Sequence, residues 1–184
     1  TRRSSDLETA VALGGLLIKL GQFFSTRVDI LPASSINELS TLQDEVKPVP
    51  FEQLLEVARR EFAKPLHEVF SGIDNLPRAS ASLGQVHRGQ LHSGETVAIK
   101  IQRPGIEDLV SIDLKAIGRV IALVKKFTDW ERFFDLDAIY REFSDTLWAE
   151  LNYIQEGHNA ERIAENIKDD PDLIVPSIYW EYTT

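Results

Sequence analysis

The hydrophobic pattern of the chain is helical over most of its length, with a short β region in the middle. Apolar residues recur at three- and four-residue spacing over about residues 6–26, 32–44 and 50–63, which predicts three helices before the strands. A long helix is predicted over 106–127, and another from 136 toward 168 with a break near Gly157. The pattern therefore predicts an α+β fold.

The β region consists of two strands joined by a tight turn. Gln85–Gln90 and Thr96–Ile101 have strand character, and His92–Glu95 between them contains a glycine suited to a hairpin. Apolar residues at Leu173–Trp180 predict a further pair of strands. We therefore expect a small antiparallel sheet built from about residues 77–101 and from 174 onward.

Composition limits the classes of function. With 184 residues and 43% hydrophobic content the chain can bury a core of its own, and its net charge of −9 argues against a nucleic-acid partner. The absence of cysteine excludes disulfides and cysteine-ligated metal sites. Because the chain starts at Thr1 and contains no methionine, we expect it to be a piece of a longer protein.

A loop before the first of these strands has the spacing of a phosphate-binding loop. The segment Ala79-Ser-Ala-Ser-Leu-Gly-Gln-Val86 follows the kinase pattern G-x-G-x-x-G-x-V, with alanine at Ala79 and Ala81 and the last two positions kept as Gly84 and Val86. Alanine restores a Cβ and restricts both positive φ and close backbone approach to phosphate. The loop therefore predicts a nucleotide site that binds less freely than that of an ordinary kinase.

The strand after the hairpin carries the matching lysine. Val97-Ala-Ile-Lys100 is the V-A-I-K pattern in which a lysine reaches the bound phosphates, provided that a carboxylate from a nearby helix holds it in place. The alternative is a lysine at the rim of an alternating strand with no ligand to bind. The loop at matching distance favours the phosphate-binding interpretation.

Two further polar residues stand in the first, apolar helix. Lys19 and Gln22 lie three residues apart and so share a face. Burying an unpaired ammonium is costly, so Lys19 either extends to solvent or meets a carboxylate. Glu150 and Glu156 are the candidate carboxylates, and their spacing on a helix lets them serve two neighbouring lysines. Solvated surface positions are the alternative for both glutamates.

Together these motifs resemble the UbiB family of atypical, protein-kinase-like proteins. The matching segments are Lys19-Leu-Gly-Gln22 for KxGQ, the alanine-rich loop with V-A-I-K, and Glu150-Leu-Asn-Tyr-Ile-Gln-Glu156 for the ExD region. They occur in the family's order and cover nearly the whole chain. The resemblance implies a kinase-like N-lobe, a small antiparallel sheet with a C-type helix, at 73–184, and an N-terminal helical extension at 1–72 whose KxGQ face covers the cleft. The C-lobe is expected to be absent from this chain.

The resemblance also implies a function. UbiB-like proteins support ubiquinone or other prenylquinone metabolism, bind ATP or ADP with magnesium, and behave more like ATPases than like kinases acting on proteins. The implied partners are the nucleotide, a lipid or prenylquinone precursor and a peripheral membrane contact, in a bacterium or an endosymbiotic organelle. The magnesium ligands are expected in the C-lobe, so this chain alone should be inactive and holds no metal site of its own.

Carried over residue by residue, the resemblance gives each site residue a role. Lys100 is the phosphate-contacting lysine and Glu156 its partner, while Lys19 pairs with Glu150 and Gln22 completes the cover. Nucleotide contacts are expected from the loop and the strand that follows the hairpin: Ala79, Ser80, Ala81, Ser82, Leu83, Gly84, Gln85, Val86, Ala98 and Lys100.

Two departures and one further pattern leave alternatives open. Asn152 stands where the aspartate of ExD is usual, and Ser80 where a further alanine is usual. The lost charge at Asn152 favours a catalytically weak nucleotide-sensing or lipid-binding module as the alternative to an ATPase. The apolar helix 106–127 and the aromatic stretch Trp130–Phe134 either pack within the lobe or anchor at a membrane interface.

Overall fold

The computed structural model describes residues 19–27, 46–62 and 64–184, and residues 19–25 are helical. The predicted helix over 32–44 and most of the one over 6–26 lie outside the described residues. The helices are α1 (Phe51–Phe62), α2 (Leu66–Val69), α3 (Ile106–Phe127), α4 (Leu136–Leu151) and α5 (Tyr153–Asn166), and the strands are β1 (Phe70–Ile73), β2 (Ala79–Ser80), β3 (Gly84–Leu91) and β4 (Thr96–Gln102). Short 3-10 turns occur at Trp130–Arg132 and Trp180–Tyr182.

β3 is the centre of a four-stranded antiparallel sheet. β4 pairs with one edge of β3, with Val86 opposite Lys100, and β1 and β2 pair with the other edge. Ala79 lies opposite Val86 on that second edge, so Ala79, Val86 and Lys100 form one row across three strands. Gly94 has a φ of +102° in the turn between β3 and β4, a conformation that favours glycine.

Two apolar cores hold these elements together. The first joins α3 to α4 through buried side chains that include Val110, Leu114 and Leu147, and Leu20 and Phe23 of the helical segment 19–25 pack against it. The second lies under the sheet and consists of Ala58, Leu66, Val69, Phe70 and Leu91, with Val97 and Ile99 packed on it. Because side chains alternate along a strand, Ala98 and Lys100 of β4 lie on the opposite face of the sheet.

Most predicted elements are confirmed. The α+β class, the two strands with their turn, and the helices over 50–63 and 106–127 are present with bounds within a residue or two. The short α2 and β1 were not predicted, and β1 crosses the boundary proposed between residues 72 and 73. The division into two domains stays a prediction. No helix among the described residues is long and apolar enough to cross a membrane.

The predicted helix break near Gly157 is wrong, because the break lies at Asn152. α4 ends at Leu151 and α5 begins at Tyr153, and Asn152 between them has φ −90° and ψ 88°. The Asn152 Oδ1 accepts a hydrogen bond from the backbone N–H of Gln155 at 2.9 Å. An asparagine at this position satisfies a backbone donor that the first helical turn leaves free, so a new helix starts here.

The predicted strands from Ile174 onward are also wrong. Residues 173–179 form no strand, and a 3-10 turn follows. Pro176 has no N–H to give to a strand ladder. Trp180 instead packs on α5, where it donates its indole N–H to Glu161 at 2.6 Å, and a Cβ on Gly157 would lie 2.7 Å from its ring. Contacts with α5 therefore place this segment.

Candidate functional site

A cavity of about 480 Å³ lies between the alanine-rich loop and the start of α5. Its volume is within the range of about 300–1,000 Å³ usual for small-molecule sites. The loop and sheet contribute Ala79, Ala81, Ser82, Leu83, Gly84, Val86 and Lys100, and the facing wall contributes Lys19, Glu150, Tyr153 and Glu156 among others. Both predicted lysines and both predicted glutamates therefore meet at one cavity.

The lysine of β4 is held by α5. The Lys100 Nζ lies 2.6 Å from the Glu156 Oε2, and the two residues are 56 positions apart in the chain. The same Nζ lies 4.5 Å from the centroid of the Tyr153 ring, a cation–π distance. An ammonium has three N–H donors, so donors remain for phosphate oxygens after the bond to Glu156.

The second lysine joins the helical segment 19–25 to the end of α4. The Lys19 Nζ lies 2.9 Å from the Glu150 Oε2, and the Lys19 side chain is only 14% exposed. Of the two alternatives for Lys19, the structure therefore shows pairing with a carboxylate and not extension to solvent. Gln22 lies on the same segment and is half-buried, but it is not among the residues that line the cavity. Its predicted role in the cover stays a prediction.

Arg103 fixes the loop, and sequence reasoning missed it. Its Nε donates to the Ala81 carbonyl at 2.8 Å, and its Nη2 donates to the Ser80 Oγ at 3.0 Å and to the Lys47 carbonyl at 3.1 Å. The loop itself closes through a bond from the Ala81 N–H to the Gly84 carbonyl at 2.9 Å. The sequence signal that could have identified it is an arginine, whose planar guanidinium carries several N–H donors, directly after the V-A-I-K strand.

Gly84 is required by close packing. A Cβ at this position would lie 2.6 Å from the Tyr153 hydroxyl oxygen and 2.9 Å from the Ile101 carbonyl oxygen. Positive φ is not the reason, because among the described glycines only Gly94 and Gly105 have it. The third glycine of the loop therefore allows α5 to approach the sheet.

Three residues predicted to contact the nucleotide do not line this cavity. Gln85 is fully buried on the other face of the sheet, where its Oε1 accepts from the Val49 N–H. The Ser80 hydroxyl oxygen accepts a hydrogen bond from Arg103, and Ala98 lines a neighbouring cavity of about 750 Å³ that Lys100 and Glu156 also line. The structure therefore does not bring Ser80, Gln85 or Ala98 into the loop cavity.

Tyr153 is a second residue that sequence reasoning missed. It lines the cavity between Glu150 and Glu156, and its hydroxyl oxygen is buried with no hydrogen-bond partner among the described residues. Burial raises the pKa of the Tyr153 phenol, and the negative charges of Glu156 and Glu150 raise it further. The phenol therefore stays neutral, and its ring supports Lys100.

The two expected cofactors are a nucleotide and magnesium. The residues present are compatible with a nucleotide, because Lys100 keeps N–H donors beside a loop of small side chains, and nucleotide binding stays a prediction. Magnesium is different, because no group of three or more histidine, aspartate or glutamate side chains converges within residues 19–27, 46–62 and 64–184. The expectation that magnesium binds through residues of the C-lobe stays a prediction.

Comparison with known proteins gives a consistent set of relatives. The sequence profile of the ABC1 atypical kinase-like domain matches residues 41–184. The chain is 46% identical to Protein ACTIVITY OF BC1 COMPLEX KINASE 8, chloroplastic, of Arabidopsis thaliana, over 96% of this chain and 23% of that protein. It is 41% identical to the uncharacterized protein sll1770 of Synechocystis, over 96% of this chain and 30% of that protein.

A solved structure shows the same likeness. Rv3197 from Mycobacterium tuberculosis, determined in complex with erythromycin, matches 97% of this chain with a TM-score of 0.62 and 26% identity. The match covers 47% of the Rv3197 chain. The present chain thus spans less than half of that structure and under a third of the two relatives above.

Proposed function

The chain belongs to the ABC1 family of atypical kinase-like domains, and on that basis we propose that it is the nucleotide-binding part of an atypical kinase-like ATPase. The observation that carries the proposal is the Lys100–Glu156 pair facing the alanine-rich loop across one cavity. This is the arrangement in which a strand lysine, held by a helix carboxylate, contacts nucleotide phosphates.

Each part of the site has a proposed task. Lys100 binds phosphate oxygens, while Glu156 and the Tyr153 ring fix the position of its ammonium. Arg103 fixes the position of the loop through its hydrogen bonds to Ala81 and Ser80. The nucleotide supplies the phosphoryl group, and its magnesium is proposed to bind through residues outside the described ones.

The proposed role of the full-length protein is support of ubiquinone or other prenylquinone metabolism. Its support is the motif resemblance, together with the chloroplastic relatives at 46% and 40% identity. The chain spans only 23% and 24% of those two proteins, so substrate and phosphoryl acceptor belong to the proposal. Peripheral membrane contact and a lipid or prenylquinone partner are proposed on the same ground.

Thermal unfolding of the full-length protein tests the nucleotide site. A ligand that binds only the folded state stabilises it by about 2.7 kcal/mol at a concentration one hundred times its Kd. We expect a saturable rise in Tm with ATP or ADP plus magnesium, which Lys100→Ala greatly reduces. Lys168→Ala is the control, because Lys168 makes a comparable exposed pair with Glu165 at 2.5 Å. A Tm that neither nucleotide changes would overturn the proposal.

The second candidate is a nucleotide-sensing module with little turnover. It is favoured by the Lys19–Glu150 pair, which holds the helical segment 19–25 against the cavity wall. Phosphate release separates the two candidates. Turnover that is lost in Lys100→Ala supports the ATPase, whereas saturable nucleotide binding without measurable turnover supports the module.

A further inference from the structure

Asn159 of α5 lines the same cavity as Lys100 and the alanine-rich loop. It is half-buried and follows Glu156 by three residues, so the two side chains lie within about 60° of arc on one face of the helix. Glu156 in turn holds the Lys100 ammonium at 2.6 Å. Asn159 therefore lies next to the ion pair on which the proposed phosphate site depends.

Two neighbours on α5 fix the orientation of the Asn159 side chain. The Arg162 Nη2 donates to the Asn159 Oδ1 at 3.1 Å, and the Gln155 Nε2 donates to the same oxygen at 3.1 Å. A guanidinium has only donors, so the atom of the Asn159 amide that faces Arg162 must be the oxygen. The amide nitrogen is thereby turned away from Arg162, because oxygen and nitrogen occupy the two ends of one planar group.

The nitrogen of this amide keeps both of its N–H donors. Within the described residues no acceptor bonds to the Asn159 Nδ2. An ionised phosphate group offers only acceptor oxygens, and an N–H bond to a charged acceptor is about twice as strong as one between neutral groups. An amide with a fixed orientation and two available donors therefore suits a phosphate.

The carboxylates of the cavity wall already have partners. Glu150 pairs with Lys19 at 2.9 Å, and Glu156 pairs with Lys100 at 2.6 Å. Asn159 adds N–H donors to this wall without a charge that a further carboxylate would have to neutralise. An aspartate at the same position would instead place a third negative charge beside the phosphate.

From these observations we propose that Asn159 binds a phosphate group of the nucleotide through its Nδ2, and that Arg162 is a positioning residue for the amide. The inference rests on the proposed nucleotide site and adds to it a phosphate contact that comes from α5. The alternative is a hydrogen-bond network that only stabilises the surface of α5, as polar pairs three or four residues apart do. The two differ in what loss of the amide nitrogen does to nucleotide affinity.

Calorimetric titration of the full-length protein with ADP and magnesium tests the contact. Asn159→Asp keeps the size of the side chain and the bond from Arg162 but replaces the N–H donors with a charged oxygen, so we expect nucleotide affinity to fall roughly tenfold. Asn166→Asp adds the same charge at the exposed end of α5, away from the cavity, and should change affinity little. Unchanged affinity in Asn159→Asp, or equal losses in both variants, would overturn the proposal.

A neutral variant separates lost donors from added charge. Asn159→Ala removes both N–H donors and adds no charge, and we expect it to weaken ADP binding roughly threefold. The Tm of the unliganded protein should stay close to that of the wild type, because Asn159 belongs to neither apolar core. Weaker binding in Asn159→Asp with none in Asn159→Ala would indicate charge repulsion alone and contradict the contact.

A double-mutant cycle tests the role of Arg162. Arg162→Ala frees the Asn159 amide to rotate and should weaken ADP binding, whereas the same substitution in the Asn159→Ala background should have no further effect. An equal loss in both backgrounds would show that the Arg162 charge acts by itself and would exclude the positioning role.

Lys100→Ala keeps the two proposals distinguishable. If Lys100→Ala abolishes ADP binding while both Asn159 variants bind as tightly as the wild type, the nucleotide site stands and the Asn159 contact is wrong. Wild-type protein that binds no ADP would overturn both proposals.

Discussion

The Lys100 Nζ lies 4.5 Å from the centroid of the Tyr153 ring, so the lysine of the site rests on an aromatic face as well as on a carboxylate. Tyr153 is the first residue of α5, and its hydroxyl oxygen would be 2.6 Å from a Cβ on Gly84. One side chain thus touches both the loop and the lysine. The geometry makes Tyr153 a positioning residue for Lys100.

Removing the Tyr153 ring should weaken nucleotide binding, while removing its hydroxyl should not. Tyr153→Leu deletes a cation–π contact of about 0.5–1 kcal/mol and frees Lys100 to move. Tyr153→Phe keeps the ring and loses only a hydroxyl that has no partner among the described residues. The nucleotide-dependent Tm rise should shrink in Tyr153→Leu and persist in Tyr153→Phe. Equal damage from both variants would show that the hydroxyl contributes.

Replacing Arg103 with lysine should loosen the loop although the charge is kept. Lysine cannot reproduce the fork that reaches the Ala81 carbonyl and the Ser80 hydroxyl together. We expect a loss of about 1.5 kcal/mol in the free energy of unfolding and a weaker nucleotide response. Urea unfolding measures the first and the Tm rise the second. Arg88→Ala, an exposed arginine on β3, is the control, and equal effects in both variants would contradict the prediction.

The asparagine that departs from the family motif should be replaceable by aspartate. The Asn152 Oδ1 caps α5, and an aspartate oxygen accepts the same bond from Gln155. Asn152→Asp should therefore keep stability, whereas Asn152→Ala should lose about 1 kcal/mol. Urea unfolding compares the two. If Asn152→Ala were as stable as the wild type, the cap would contribute nothing measurable to α5.

Asp113 should make stability depend on pH. It is 8% exposed on α3, and burial raises the pKa of its carboxyl above the ordinary value. The folded state therefore favours the protonated form of Asp113. Its contribution to the free energy of unfolding is fully present below the carboxyl pKa of the unfolded chain, and it is lost as pH rises through the carboxyl pKa of the folded chain.

Asp113→Asn should therefore raise Tm at neutral pH, and the gain should disappear at a pH below the ordinary carboxyl pKa. Thermal unfolding over a range of pH measures this difference. Asp145→Asn, at an exposed position on α4, should change Tm little at either pH. A gain of equal size at acidic and neutral pH would show that ionisation of Asp113 is not the cause.

Local patterns were sufficient for the elements that hold the site. Alternation and a glycine turn predicted β3 and β4, and helical periodicity predicted α3 with its observed bounds. Sequence patterns gave wrong predictions where contacts with distant residues decide the conformation of a segment. Pro176 is a local signal against a strand at residues 173–179, but the position of the segment depends on the contact of Trp180 with α5.

The sequence by itself determined the two lysines and two glutamates that were expected at the site, whereas the tertiary structure decided how they meet and added Tyr153 and Arg103. The spacing of the loop, Lys100 and the two glutamates can be read directly from the sequence. The partnership of Lys19 with Glu150 joins residues far apart in sequence, and only the packing of α4 against the helical segment 19–25 brings them to 2.9 Å. The short-range period of apolar residues indicates whether a segment is a helix or a strand. Contacts between distant elements depend instead on which of their faces are buried against each other.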